Sequence, residues 1–254
     1  MKYTAVVLAG SRPGRDAFAA QFGTDIKALV AIRGEPMVRR PVRALLASES
    51  IGQVIVLSQA PERIAAVLSS NPRLSLRESS GTIAQTLLGL IDDPAIAWPL
   101  LVTTADHALL EPAMIEQFTR GASKADIAVG VVEQRILLQR FQDAQRTWLK
   151  FRGGAFTGAN LFALRSPKVA PGIRLWRSVE QDRKKGWRVI AMAGPLTLAG
   201  AVLRLLTIDG VIRRLGRKLG LNAKVVRLTN PLAGIDVDKP ADHTLVEAIL
   251  AGKA

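Results

Sequence analysis

The sequence predicts an α/β fold: a Rossmann-like three-layer αβα sandwich around a mostly parallel central sheet, in one domain over residues 1–254. Three observations predict it. Short apolar runs alternate with helix-patterned stretches through the first half of the chain. Glycine or polar residues follow the ends of those runs. Of the 254 residues 48% are hydrophobic, enough for a buried core.

"TAVVLAG" opens the chain as a buried strand. Its lead, "MKYTAVVLAG", holds one lysine and no small-residue cleavage pattern, so it reads as a strand rather than a secretion signal, and a cytoplasmic location is expected. "PMVRRPVRALLAS" is a helix begun by Pro36 and interrupted by Pro41. "QVIVLSQ" is a strand, "PERIAAVLSS" a helix, and "TIAQTLLGLIDD" a helix capped by Ser79 or Ser80. "WPLLVTTADH" is a long apolar strand ending in polar groups; the helix "EPAMIEQFTRGA" and the strand "ADIAVGVVE" come next. Past Glu133 the rhythm changes. "RTWLKFRGGAFTGANLFALR" reads as paired short strands around a glycine-rich bend, and residues 166–222 as a basic helical insertion. "AKVVRLTNPLAGIDVDKPADHTLVEAIL" closes with a strand, a loop and a helix started by Asp238 or Pro240.

The formal charge of +14 is concentrated: from Arg183 to Arg227 eleven basic residues face one acid, Asp209, a net +10. Such a region favours nucleotide phosphates, nucleic acid or an anionic membrane surface, with a solvated basic face as the plain alternative. Nucleic acid is the weaker partner, because the segment has no recognisable module and only Trp187 as an aromatic platform. "WRVIAMAGPLTLAGAVLRLLTIDGVIRRLGRKLG" mixes apolar stretches with clustered arginine and lysine, which suits either a peripheral membrane contact or a helical cap over an active site. With no cysteine and two histidines, His107 and His243, a metal would be held by carboxylate oxygen, which points to a hard ion such as magnesium.

In open parallel sheets ligands gather at the carboxyl ends of strands. After "AVVLA", Gly10, Ser11 and Gly14 allow a tight turn whose N–H groups can face phosphate, with Arg12, Arg15 and Lys27 as cations; an ordinary strand-to-helix turn explains the same residues. Asp106, ending "LLVTTADH", is equally a metal ligand or the cap of the following helix. In "GIDVDKPADH", Asp238 or Asp242 caps the last helix and Asp236 is left over. Trp148, Lys150 and Arg152 suit an acceptor phosphate or a solvated surface.

These residues resemble the nucleotidyltransferases of the molybdenum-cofactor guanylyltransferase-like group, which share the glycosyltransferase-A type fold of nucleotide-diphospho-sugar transferases. "LAGSRPGRD" is similar to their first turn through Leu8, Ala9, Gly10, Ser11, Arg12 and Gly14. "KALVAIRGEPMV" resembles their phosphate lysine and helix entry, with Lys27, Gly34, Pro36 and Met37 in place. The likeness implies Gly81 and Thr82 of "SSGTIAQTLLGL" at the nucleobase, and Thr157, Gly158 and Asn160 of "TGANLFAL" on the acceptor side. It further implies Asp106 and Asp236 as magnesium ligands, with Lys27 and Arg12 balancing charge on the β and γ phosphates. One glycine of the family's double-glycine turn is missing, and about ten extra residues, "DAFAAQFGTD", precede Lys27 as a bulge or a lid. The activity implied is transfer of a nucleotidyl group from an NTP, CTP or GTP favoured, to a phosphorylated small-molecule or lipid head-group acceptor. A glycosyltransferase of the same fold would place Asp-x-Asp at a mid-chain strand end, where this chain has "TADH". A non-catalytic nucleic-acid binder is the alternative from another class.

Overall fold

Why the first strand sits in the middle follows from its composition. β1 (Tyr3–Leu8) buries Ala5 and Val7 on one face and Val6 on the other, so both sides of the sheet must be covered. It pairs in parallel with β4 (Ile51–Ser58) and β6 (Leu100–Thr104), Val6 lying opposite Ile55 and Val102. The computed structural model describes residues 1–10, 16–79, 81–180, 191 and 194–253. Within it the sheet continues outward from β4 to β5 (Leu74–Glu78), and from β6 through β9 (Gly154–Leu164) and β7 (Ile127–Glu133) to β10 (Ala223–Leu228). β9 alone in this row runs antiparallel to its neighbours, β6 and β7, and carries the short β8 (Leu149–Phe151) on its free end. β2 (Ala31–Ile32) and β3 (Glu35–Pro36) form a separate two-stranded ribbon.

Helices cover both faces. On one, α2 (Arg39–Ala47) and α5 (Pro112–Ala122) set Val42, Leu45, Met114, Ile115 and Phe118 against Ala5 and Val7. On the other, α4 (Ile83–Ile91) and α7 (Ala170–Glu180) set Ala84, Leu87, Leu90 and Ile173 against Val6, Ile55, Leu100 and Val102. This is the three-layer sandwich with a mostly parallel sheet that the sequence predicts. The short helices α1 (Ala17–Gln21), α3 (Pro61–Ala65) and α6 (Gln134–Arg140) lie in connections.

Some local readings change. Pro36 does not begin α2; it pairs with Ala31 in the small ribbon, and the helix starts at Arg39. The cap of α4 is Thr82 rather than Ser79 or Ser80: its hydroxyl accepts from Gln85 N, and the Gln85 side chain accepts from Thr82 N. "RTWLKFRGGAFTGANLFALR" forms the expected pair of strands around a glycine bend at Gly153 and Gly154, β8 being short and β9 running to eleven residues. The described part of residues 166–222, read as a basic helical insertion, is largely helical. α7 packs Trp176 on Phe162, ring centroids 5.1 Å apart, then comes α8 (Pro195–Val202), and α9 (Ile208–Lys218) buries Ile208 among Val131, Phe156 and Val225. Residues 181–190, 192 and 193 of this segment, Trp187 among them, lie outside the described residues. No described helix is long and apolar enough to cross a membrane.

Candidate functional site

The strand order reverses on either side of β1, and the crevice at its carboxyl end is where loops from β1, β4 and β6 part. Leu8 and Ala9 are fixed there: Ala9 N donates to Leu57 O at 2.9 Å, and Ala105 N to Leu8 O at 3.0 Å. Gly10 follows, exposed beside the Gln59 side chain. Ser11, Arg12, Gly14 and Arg15, expected at the phosphates, lie outside the described residues.

The extra segment after the turn is a helix rather than a loose bulge. Asp16 caps α1 by accepting from Phe18 N and Ala19 N at 2.9 and 3.0 Å, and Phe18 and Ala19 are buried. Phe22 stacks on His243 of the last helix, α10 (Pro240–Leu250), at 4.4 Å between centroids. The chain then enters a 3-10 turn at Lys27, pinned where Met37 N and Val38 N donate to Val30 O and Ala28 O.

Lys27 Nζ donates to Asp106 Oδ2 at 2.6 Å and also to Asp238 Oδ1. Thr104, ending β6, donates to the other Asp106 oxygen. α5 begins after Glu111 with no side-chain cap, so Asp106 is free of the capping role and faces the crevice. The closing loop is tied on by Val237 N, which donates to Asp106 O at 3.1 Å. In "IDVD" the alternation does the placement: Ile235 and Val237 are buried, while Asp236 and Asp238 project the other way. Asp236 accepts from Arg146 at 2.8 Å and from Asn160 Nδ2 at 3.1 Å, and Arg146 also reaches Asp242 Oδ1 at 3.2 Å. Asp242 in turn accepts from Asp238 N, so Asp242 steadies the start of α10 and Asp238 is left for Lys27.

Lys27 and Asp106 are in direct contact, as are Asp236 and Asn160, on loops that meet at the crevice. Asn160 reaches Asp236 from a left-handed backbone, φ 47°, next to the point where the β7–β9 register slips. Thr157 is buried in the ladder opposite Val132, and Gly158 is exposed opposite Val131. Gly81 and Thr82 open α4, with Gly81 at φ +88°. A Cβ there would meet the Gln85 carboxamide that completes the cap. Gly81→Ala is expected to cost roughly 1–2 kcal/mol and to lower Tm by roughly 3–6 °C in a thermal melt. An unchanged Tm would show that this turn relaxes without loss.

Two members of the site were not anticipated. Asp238 was assigned to a helix cap, although its i, i+2 spacing from Asp236 was the available signal. Arg146 lies in an irregular stretch between α6 and β8, where nothing in the residue pattern marks it.

Four carboxylates (Asp106, Asp236, Asp238, Asp242) surround two cations, Lys27 and Arg146. The imbalance is visible in proton affinities. Burial first, then the charges of Asp106 and Asp238, push Asp236 up to about 6 against the pull of Arg146 and Asn160. Burial pulls Lys27 down, but Asp106 and Asp238 outweigh it and hold the ammonium above its ordinary value. Such a surplus of negative charge on hard oxygen donors fits a divalent cation. Among the described residues no three His, Cys, Asp or Glu side chains are grouped as a metal cage. His107, beside Asp106, is buried away from the crevice, and burial lowers it to about 4.

A family model described as a MobA-like NTP transferase domain matches residues 5–203. No curated protein matches the sequence. Among solved structures, a hypothetical transferase from Thermus thermophilus is similar at TM-score 0.80 and 29% identity, covering 96% of this chain and all of its own. A 4-diphosphocytidyl-2C-methyl-D-erythritol synthase from Anaerococcus prevotii aligns at TM-score 0.60 and 10% identity, covering 98% of this chain and 96% of its own. A CMP:2-keto-3-deoxy-manno-octonic acid synthetase complexed with CTP aligns at TM-score 0.59 and 14% identity over 100% of both chains. At these identities the last two show the shared fold alone.

Proposed function

Because the chain belongs to the MobA-like NTP transferase family, a nucleotidyltransferase group, we propose that it transfers an NMP unit from an NTP to a phosphorylated acceptor and releases pyrophosphate. The observation that carries this reading is the Lys27–Asp106 pair at the end of β6, beside the turn after β1. An acceptor phosphate oxygen attacks the α-phosphorus; the bond to the bridging oxygen of the β-phosphate breaks, and pyrophosphate leaves with that electron pair. A phosphomonoester is already ionised near neutral pH, so no general base is needed, in keeping with a crevice whose neighbouring histidine is buried. Lys27 neutralises charge on the departing phosphates, and Asn160 and Arg146 hold Asp236 in place. Asp106 and Asp236 would hold magnesium, which when bound supplies Lewis-acid stabilisation of the α-phosphate. CTP is the first donor to test, since one neighbour's name is a diphosphocytidyl synthase and another was solved with CTP; GTP is the second.

Pyrophosphate release by the purified protein, measured with each NTP over a panel of phosphorylated acceptors, tests the reading. Release should require both substrates, stop with a chelator and return with magnesium. Consumption of a nucleotide-sugar with no pyrophosphate from any NTP would instead identify a glycosyltransferase.

A further inference from the structure

Seven large apolar side chains are exposed among the described residues, and four of them, Leu196, Val202, Leu203 and Leu205, fall between residues 196 and 205. Leu203 and Leu205 are 66% and 60% exposed, a degree of wetting that a leucine pair gains nothing from in water. Directly after them α9 divides by helical spacing. Ile208, Val211 and Gly216 are buried, while Gly210, Arg213, Arg214 and Arg217 form the opposite stripe. Arg152, from the β8–β9 hairpin, completes a cleft of about 240 Å³ that Leu205 also lines. The two halves are fastened together, since Arg152 N donates to Leu206 O at 2.9 Å.

Among the described residues no carboxylate pairs with Arg152, Arg213, Arg214 or Arg217. Arg227, by contrast, is neutralised by Asp209. Four unopposed guanidinium groups therefore share a border with an exposed apolar shoulder. A soluble polyanion would satisfy the arginines and leave the leucines in water. A purely apolar partner would do the reverse. We propose that this face docks on an anionic phospholipid bilayer, the arginines on lipid phosphates and Leu203 and Leu205 at the acyl boundary. The β8–β9 hairpin and the start of α9 lie at the same end of the sheet as the crevice, and α9 runs back from there along β10. The hairpin runs into β9, and Asn160 is about 20 Å along that strand from Gly154, so docking would leave the crevice open beside the membrane.

Co-sedimentation of the full chain with phosphatidylcholine vesicles, with and without about one third phosphatidylglycerol, tests the proposal. Binding is expected to the anionic vesicles alone and to weaken with salt. Arg213→Gln with Arg214→Gln should reduce it by roughly 10-fold or more, each arginine near such a surface contributing on the order of five-fold. Leu203→Ser with Leu205→Ser, which leaves the charge unchanged, should reduce it comparably. All four side chains are exposed, and an unchanged Tm verifies that each variant is folded. Failure to bind anionic vesicles overturns the proposal, as does equal binding to neutral ones. Binding that ignores the leucine changes while the protein also captures RNA overturns it in favour of a soluble polyanion. The readout needs no turnover, so it stands or falls apart from the transferase reading.

Discussion

Asp106→Asn is expected to lower pyrophosphate release by on the order of 10³-fold while leaving the protein folded, with stability changed by no more than about 1 kcal/mol. Asp106 is the point of convergence: Lys27 on one oxygen, Thr104 on the other, and Val237 N on its backbone carbonyl. The amide keeps the shape and discards the charge, so any cation held against the α-phosphate loses its principal anchor. Stability is spared because the site carries surplus negative charge. Removing one carboxylate relieves Asp236, whose proton affinity Asp106 helps to raise. Lys27→Met should separate from it kinetically. Losing the ammonium weakens the hold on the triphosphate and should raise KM for the NTP, whereas Asp106→Asn should act chiefly on kcat. Full activity in Asp106→Asn, assayed at saturating magnesium, would remove Asp106 from the chemistry.

What was readable in the chain depended on how much a segment's surroundings are written into its own residues. β1, β4, β6 and β7 are continuous apolar runs because both faces are covered, and such runs announce themselves. β5 was missed for the opposite reason: "LSLRE" is an edge strand with no fully buried residue, stabilised by pairing with β4 rather than by its own hydrophobicity. α6, seven residues with only Leu137 buried, is too short to show a period. Ser79 and Ser80 drew the cap of α4 away from Thr82 because all three residues are good caps, and only the partner at Gln85 decides.

The site divides in the same way. Asp106 stands just past the end of β6 and Lys27 opens a 3-10 turn, where side chains have no core to enter. Asp236 was readable for a similar reason, but its immediate partners were not. Arg146 reaches it across ninety positions of sequence, and no local pattern predicts so distant a pairing. The late lysine needed α1 to explain it. The added residues fold onto His243 through Phe22 and return the chain to the crevice, so the distance in sequence is cancelled in space.

The two residues flanking this chemistry should give stability opposite dependences on pH. His107 is buried with an affinity lowered to about 4, against 6.5 for an ordinary histidine. Between those values the unfolded chain binds a proton that the fold refuses, so stability is lost as pH falls from 6.5 to about 4, by on the order of 3 kcal/mol in all. Asp236, raised to about 6 from 3.8, works the other way. In that window the fold keeps a proton that the unfolded chain releases. Stability present at low pH is therefore lost as pH rises through 6, by a similar amount. In the unaltered protein the two slopes nearly cancel between pH 4 and 6, and denaturant midpoints there should be almost flat for this pair. Substitution separates them. Asp236→Asn should leave the histidine slope exposed, stability falling toward acid by about 1.4 kcal/mol per pH unit, and His107→Asn should leave the reverse, stability rising toward acid. A cavity left by the smaller asparagine shifts the whole His107→Asn curve without tilting it. Urea titrations of the metal-free protein across this range measure both tilts. Parallel curves for the two variants would mean that neither group carries its shifted affinity in the fold.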